Sequence, residues 1–373
     1  MRIEELDYVL PEELIATRPA EPRDQSRLMV YWRGTGHVEH RRFFELPEFL
    51  QAGDLMIVND TKVVPAKLEL RKTTGAAIPG LFVHEESVGI WTVMLRSRGR
   101  VKAGDELVPA GLAEDMAPPY RFRLLERTGD KGMWRIGIDP AEHAPVVLAR
   151  IGHVPLPPYI EKERSKHLET RTLEIEGFDR QRYQTVYARE GRSVAAPTAG
   201  LHFTPELLGK IDALGVLRRA VNLEVGLGTF LPVEAPTLEE HKMHREEYVV
   251  PGETVAAIRQ ARGIEPPSHQ GTKRRMVVVG TTAVRTLESA ADRILNESSP
   301  PAEIHGSTEL CIQPGYAFRL TDVLVTNFHL PRSTLLALVA ALVGLERLKV
   351  LYAEAVQEKY RFYSYGDAML ILP

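Results

Sequence analysis

Residues 194–230 read VAAPTAGLHFTPELLGKIDALGVLRRAVNLEVGLGTF and establish the local plan of the chain. The small residues and glycine at its start let a ligand approach the backbone closely. Thr204 and Pro205 have the residue types of an N-cap and a first helical position, and Gly215 ends the helix that they begin. Residues 216–225 then have the composition of a strand. The stretch predicts a helix and a strand between two glycine-bearing turns, which form either a pocket or two ordinary tight turns.

The same alternation of strand, turn and helix recurs elsewhere in the chain. Residues 275–285 predict a strand followed by a helix capped by Thr281 or Thr282, and residues 323–334 repeat this plan. A buried strand is also predicted at residues 54–58. The carboxyl ends of parallel strands meet at one edge of a sheet, so these turns should gather there. We therefore predict an α/β core with a mixed, mostly parallel sheet.

Residues 66–154 have a different character, with short β-rich runs separated by Gly and Pro. This pattern is typical of a small antiparallel β-barrel. The predicted organisation is therefore a discontinuous α/β core, residues 1–65 and 155–373, interrupted by a barrel domain, residues 66–154. The charged stretch 161–182 is predicted to be a mobile loop.

Charge and composition limit the classes of partner. The 373 residues carry a formal net charge of −3, so no global positive field attracts nucleic acid. An RNA partner would need local basic patches, and one candidate follows a barrel strand. That patch contains Arg96, Arg98, Arg100 and Lys102. A solvated barrel rim is the alternative interpretation.

Cysteine content and hydropathy indicate a location. Cys311 is the only cysteine, which excludes an intrachain disulfide and fits a reducing compartment. The N-terminus is acidic where a signal peptide would be apolar. The longest apolar run, residues 335–343, is far shorter than the ~20 residues that span a bilayer. We expect a soluble cytoplasmic protein.

Two further motifs give only weak evidence, one for an AdoMet-dependent methyltransferase and one for a metal site. Residues 223–228 resemble the acidic-x-Gly-x-Gly turn of AdoMet-dependent methyltransferases, but Phe230 stands where the third glycine would be. His241 and His244, three residues apart, would share a helix face and could bind a metal. A metal site needs further ligands, and none stands at a suitable spacing, so we predict no metal.

A more specific match runs through nearly the whole chain. It is carried, in order, by residues 59–66, 152–160, 183–187, 195–204, 226–230, 241–244, 280–289, 326–336 and 360–369. On these motifs, above all AAPTAGLHF and TNFHLP, the chain resembles the S-adenosylmethionine:tRNA ribosyltransferase-isomerases of queuosine biosynthesis. It departs from that family at Glu224, where the family usually has histidine.

The resemblance implies an α/β core interrupted by a barrel, and a monomer with no metal or prosthetic group. It implies S-adenosylmethionine (AdoMet) as the co-substrate that donates a ribosyl group. The acceptor would be 7-aminomethyl-7-deazaguanine at the wobble position of certain tRNA anticodons. Rearrangement of the transferred group would give epoxyqueuosine, with release of adenine and methionine.

That chemistry requires a base for the proton on the 5′ carbon beside the sulfonium and an acid for the departing adenine. Histidine suits both roles near neutral pH. Our catalytic candidates are His202 and His329 first, then His244 and Asp60, and a satisfied core histidine is the alternative for each histidine. Arg285 or Arg332 would pair with the methionine carboxylate, and Asp60 or Asp367 would bind ribose hydroxyls or the base amine. The predicted substrate-binding set is Thr198, Gly200, Gly226, Gly228, Thr281, Thr282, Arg285, Arg332 and Asp367.

Two other functions stay open at this point. An AdoMet-dependent RNA methyltransferase would release S-adenosylhomocysteine and leave a methylated base. A non-catalytic RNA-binding protein would bind tRNA without consuming AdoMet.

Overall fold

The computed structural model describes residues 1–96, 101–110, 120–129, 132–166, 173–226, 235–264, 274–296, 298 and 300–373. The chain divides into two compact units. The first comprises residues 1–62, 157–169 and 184–373, and the second comprises residues 63–156 and 170–183. This division differs from the predicted domains in that residues 170–183 group with the second unit.

The first unit is built on a nine-stranded mixed sheet. In chain order its strands are β1 (Arg27–Trp32), β2 (Val38–Arg42), β3 (Leu55–Asn59), β11 (Leu217–Leu223), β12 (Glu246–Val250), β13 (Met276–Val279), β14 (Ile304–Thr308), β15 (Val323–Asn327) and β16 (Ala368–Leu372). Their spatial order is β14-β12-β11-β3-β13-β15-β16-β1-β2. The pairs β11/β3, β3/β13, β13/β15 and β1/β16 are parallel, and the remaining pairs are antiparallel. The predicted α/β class is confirmed, with parallel pairing concentrated at the sheet centre.

Helices pack on this sheet and bury its apolar strands. In chain order the helices of this unit are α2 (Pro158–Lys166), α4 (Pro205–Ala213), α5 (Gly252–Arg262), α6 (Thr281–Ile294), α7 (Thr334–Val343) and α8 (Leu345–Gln357). The central strands β3, β13 and β15 are buried along their whole length. Such strands read as continuous apolar runs because both faces are covered. No helix in the described part of the chain is long and apolar enough to cross a membrane.

The predicted N-cap was correct at α4 and wrong at α6. Thr204 caps α4 by accepting a hydrogen bond from the backbone of Leu207, and Ser333 caps α7 in the same way. At α6 the N-cap is Gly280, with φ of 87°, so Thr281 and Thr282 are the first helical residues rather than caps.

The second unit contains the predicted barrel. Its strands are β4 (Lys67–Lys72), β5 (Ala77–Ser87), β6 (Ile90–Leu95), β7 (Glu106–Pro109), β8 (Arg121–Arg127), β9 (Met133–Asp139) and β10 (Gly152–His153), and its helices are α1 (Ala144–Ile151) and α3 (Leu173–Arg182). Antiparallel pairing runs β4-β5-β6-β9-β8-β7, and β7 pairs back with β4 to close the barrel. The prediction of one mobile loop over residues 161–182 was wrong, since α2 and α3 occupy most of that stretch.

Candidate active site

The carboxyl ends of β3, β11, β13 and β15 meet at one edge of the core sheet, as the parallel registers require. Asn59, at the end of β3, is fully buried and links this edge together. Its amide nitrogen donates to the carbonyl of Leu223 and to Thr282 Oγ1, each at 3.2 Å, and its carbonyl oxygen accepts from the backbone of Thr61 and Leu223. This side chain therefore links the end of β3 to the end of β11 and to the start of α6.

A buried ion pair lies at the same edge, where β12 begins. The Arg285 guanidinium, on the first turns of α6, donates from Nη1 to Glu246 and from Nε to the carbonyl of Leu310. The other carboxylate oxygen of Glu246 accepts from the backbone of Gly226 at 3.2 Å. No described residue accepts a hydrogen bond from Arg285 Nη2, although this atom is buried. Two of the three guanidinium nitrogens of Arg285 are thus already hydrogen-bonded within the protein, rather than being left for a substrate.

His202 is buried in the core beside β15, with both ring nitrogens engaged. Asn327 donates from its amide to the carbonyls of residues 363 and 364, so its Oδ1 must accept a hydrogen bond from His202 Nε2, 3.1 Å away. Nδ1 then accepts from the hydroxyl of Ser26 at 2.7 Å, and the ring stacks on Phe43. Burial lowers the pKa of His202 to about 4. The imidazole is neutral, and its two nitrogens connect Ser26 and Asn327.

His329 follows β15 and is also buried, but its ring is less engaged. Nε2 lies 2.8 Å from Thr326 Oγ1, and among the described residues Nδ1 has no hydrogen-bond partner. Thr326 also contacts the carbonyl of Asn327 at 3.5 Å as a donor, which favours a proton on His329 Nε2 and a free lone pair on Nδ1. Burial lowers the pKa of His329 to about 4.

Two tyrosines fix the backbone of His329. Its N–H donates to the hydroxyl of Tyr352 at 3.0 Å, and its carbonyl accepts from the hydroxyl of Tyr8. The rings of Tyr8 and Tyr352 meet edge to face at 5.1 Å. The two hydrogen bonds thus hold the peptide units on both sides of the His329 Cα.

The two aspartates predicted for the site differ in engagement. Asp60 is half-buried just past β3 and accepts one hydrogen bond from Asn222 at 3.1 Å, and burial raises the pKa of its carboxyl. Asp367 is buried, and it accepts from the backbone of Arg27 and from the backbone and guanidinium of Arg361. The Asp60 carboxylate can still accept hydrogen bonds from a ligand. The Asp367 carboxylate mainly connects the segment before β16 to the start of β1 through its hydrogen bonds.

Arg332 and His244 are both exposed. The backbone of Arg332 is in the left-handed region, at φ of 58°, and its N–H donates to the carbonyl of Leu6. No described residue pairs with its guanidinium, which is free to meet an anion. Residues 241–245 lie outside any helix or strand, so the prediction that His241 and His244 share a helix face was wrong.

The small residues of the predicted site differ in how much space surrounds them. Thr198 is half-buried at the start of the 3₁₀ helix Thr198–His202. A Cβ on Gly200 would lie 2.1 Å from the hydroxyl of Tyr187, so packing alone requires glycine there. Among the described residues, a Cβ on Gly226 would meet nothing within 4 Å. Gly228 lies outside the described residues.

The predicted RNA patch is only partly described. Arg96 and Lys102 are exposed on the barrel, and Arg98 and Arg100 lie outside the described residues. In the described part of the chain, no group of three or more His, Cys, Asp or Glu residues is placed to bind a metal.

Several residues of this edge were not predicted to have a role. Asn59 and Asn327 stood in the matched motifs, and a polar side chain at the end of a buried strand was an available signal. Ser26, Tyr8 and Glu246 gave no such signal, because each meets its partner across a large sequence separation.

Comparisons with known proteins agree on one family. The family described as "Queuosine biosynthesis protein" matches residues 3–371. The S-adenosylmethionine:tRNA ribosyltransferase-isomerase of Thermotoga maritima is 47% identical over 372 residues, and that of Moorella thermoacetica is 44% identical over 380, each covering all of both chains. The crystal structure of S-adenosylmethionine tRNA ribosyltransferase from Thermotoga maritima matches with a TM-score of 0.52 and 38% identity, covering 99% of this chain and 100% of that one. This chain belongs to the queuosine biosynthesis protein family.

Proposed function

We propose that the protein is an AdoMet:tRNA ribosyltransferase-isomerase. It transfers the ribosyl part of AdoMet to 7-aminomethyl-7-deazaguanine at the tRNA wobble position and rearranges it, giving epoxyqueuosine, adenine and methionine. The observation that carries this function is full-length identity of 43–47% to relatives with that name. The methyltransferase alternative is not favoured, because these relatives are named as ribosyltransferase-isomerases.

His329 is the general base of this proposal. Its Nδ1 lone pair has no partner among the described residues, its peptide is fixed by two tyrosines, and it follows a strand at the edge where the site turns gather. Nδ1 would take the proton from the 5′ carbon of AdoMet, whose acidity comes from the adjacent sulfonium. The low pKa keeps this nitrogen unprotonated throughout the neutral range.

His202 has a positioning role in this proposal. Both of its nitrogens are bonded inside the protein, so it has no lone pair left for the substrate. It holds Asn327, which in turn holds the carbonyls of residues 363 and 364 beside β15. Loss of His202 should therefore reduce turnover through the geometry of the site.

Substrate groups are assigned by exposure and charge. Arg332 binds the methionine carboxylate, because its guanidinium is exposed and has no described partner, whereas Arg285 is committed to Glu246. Asp60 binds a ribose hydroxyl or the aminomethyl group. His244, exposed beside β12, is the remaining candidate for the acid that assists adenine. The peptide groups of Thr198, Gly226, Thr281 and Thr282 complete the proposed wall of the site.

The proposal includes a monomer in the cytoplasm that uses AdoMet as a co-substrate and needs no prosthetic group. Metal dependence is tested by turnover after chelation, and the oligomeric state by light scattering during gel filtration.

The decisive experiment is incubation with AdoMet and tRNA that carries the deazaguanine precursor, followed by nucleoside mass spectrometry. Adenine and methionine should appear in equal amounts, with epoxyqueuosine in the RNA. Release of S-adenosylhomocysteine with a methylated base would refute the proposal. Binding of tRNA without AdoMet consumption would instead identify a non-catalytic RNA-binding protein.

A further inference from the structure

The turn after β3 is fixed to a second segment of the core, residues 189–193. The backbone of Arg189 donates to the carbonyl of Asp60 at 2.9 Å, that of Lys62 donates to Glu190 at 3.0 Å, and that of Ser193 donates to Lys62 at 3.2 Å. The two short segments therefore lie side by side at the edge of the candidate site. Their side chains start from a backbone held by several hydrogen bonds.

Side chains reinforce this attachment. The hydroxyls of Thr61 and Ser193 are 2.9 Å apart, and the Asn222 amide donates both to Asp60 and to the carbonyl of Glu190. Gly191 has φ of 136°, and a Cβ there would lie 2.4 Å from Thr61 Oγ1. Only glycine permits so close an approach with this backbone, so the segment is fitted to its place beside Asp60.

Three cations project from this scaffold. Lys62, Arg189 and Arg192 are all exposed, and none has an ion pair or side-chain hydrogen bond with a described residue. Elsewhere in the core, arginines such as Arg262 and Arg275 are bonded to aspartates. We call Lys62, Arg189 and Arg192 the cationic rim. The rim opposes the charge of the whole chain, which is −3.

The cationic rim lies next to the reaction site. The charge of Arg189 acts on the Asp60 carboxyl and opposes the rise in its pKa caused by burial. A modified base that reaches Asp60 brings its own backbone phosphates close to the same edge. Guanidinium and ammonium groups that have no partner among the described residues suit phosphate contacts, which position a nucleic acid without reading its sequence.

We propose that the cationic rim binds the backbone phosphates that flank the modified wobble nucleotide. This inference rests on the proposed function, because it takes tRNA as the substrate. It adds a core surface to RNA binding that does not depend on the barrel cations. The rim would hold the RNA strand while the base reacts.

The test is RNA affinity as a function of salt, measured by fluorescence anisotropy without AdoMet. The probe is a synthetic anticodon stem–loop with 7-aminomethyl-7-deazaguanine at the wobble position. Replacing all three cations (Lys62→Ala, Arg189→Ala, Arg192→Ala) should flatten the plot of log affinity against log salt by about two units of slope. At low salt the Kd should rise at least ~10-fold.

One single variant serves as a control, and a second tests the charge of the rim directly. Lys210→Ala removes an exposed cation from α4 and should leave affinity and slope unchanged. Glu190→Gln removes the exposed acid within the rim and should tighten binding about twofold, because a like charge near the phosphates is lost. Circular dichroism checks that each variant is folded.

The outcomes separate this inference from the proposed function. If the wild type releases adenine but the triple variant binds RNA within about twofold of wild type and with an unchanged salt slope, the rim is a solvated loop and the inference is wrong. The same holds if Glu190→Gln weakens binding or leaves it unchanged. If the wild type neither binds the stem–loop nor releases adenine, the proposed function itself fails.

Discussion

Mild acid should destabilise the core because His202 and His329 are buried as neutral imidazoles. Replacement of either histidine should remove the part of this acid destabilisation that it causes. Both have a pKa lowered by burial from 6.5 to about 4. The unfolded chain therefore binds more protons than the folded one between these values, so stability falls as the pH falls through this window. From about pH 7.5 to about pH 5, each histidine should contribute a loss of about 2 kcal/mol in the free energy of unfolding.

The assay compares wild type with His202→Gln and His329→Gln, which do not titrate. Urea unfolding is followed by the fluorescence of Trp32 in β1, in a background where Trp91 and Trp134 of the barrel are replaced by Phe. This background makes the signal specific to the first unit. Each glutamine variant should lose about 2 kcal/mol less than wild type over the same pH interval. Carboxylates titrate in all three proteins, so the difference isolates the histidine.

Activity should separate the two variants even though their effects on acid stability match. His329→Gln should abolish exchange of the AdoMet 5′ protons and slow adenine release by at least ~100-fold. His202→Gln should slow turnover but retain measurable exchange. An unaltered pH dependence of stability in both variants would refute the assignment of neutral buried imidazoles. Wild-type exchange in His329→Gln would refute its role as base and make Asp60 or Glu224 the next candidate.

Four further substitutions test the surroundings of the site. Tyr8→Phe removes the hydroxyl that holds the His329 carbonyl, and should lower kcat several-fold without changing AdoMet affinity, measured by steady-state kinetics and calorimetry. Glu246→Gln leaves a buried guanidinium without its charge partner and should cost about 3–5 kcal/mol of stability, measured by urea unfolding. Gly200→Ala should lower the melting temperature markedly because its Cβ has no room, whereas Gly226→Ala should not. Equal effects of the two substitutions would contradict this difference in packing.

The strand–turn–helix plan of the core could be predicted because its signals are local. Thr204 caps its helix by accepting a hydrogen bond from the backbone of Leu207, three positions later. Strands such as β3 and β15 can be recognised as continuous apolar runs. The mixed sheet and the barrel follow from such runs and from the rules of strand connection. The same reasoning gave a wrong prediction for residues 161–182. Their charged composition without an apolar stripe is typical of a loop, but α2 and α3 form there.

Pairings between distant residues could not be predicted in this way. His202 bonds Ser26 and Asn327 at separations of 176 and 125 residues. No periodicity or spacing encodes such partners, because they are set by the order of strands in the sheet. Sequence motifs could therefore select His202 and His329 together but could not distinguish between them.

What distinguishes the two histidines is the number of ring nitrogens that the protein itself occupies. They share residue type, burial and direction of pKa shift, so none of these properties separates a base from a support. A base must keep one lone pair for the substrate, and only His329 does so among the described contacts. A positioning residue can use both ring nitrogens in hydrogen bonds within the protein, as His202 does. A low pKa keeps an imidazole unprotonated at neutral pH but also makes it a weaker base. Whether the substrate can use its lone pair depends on which ring nitrogens are already hydrogen-bonded within the protein.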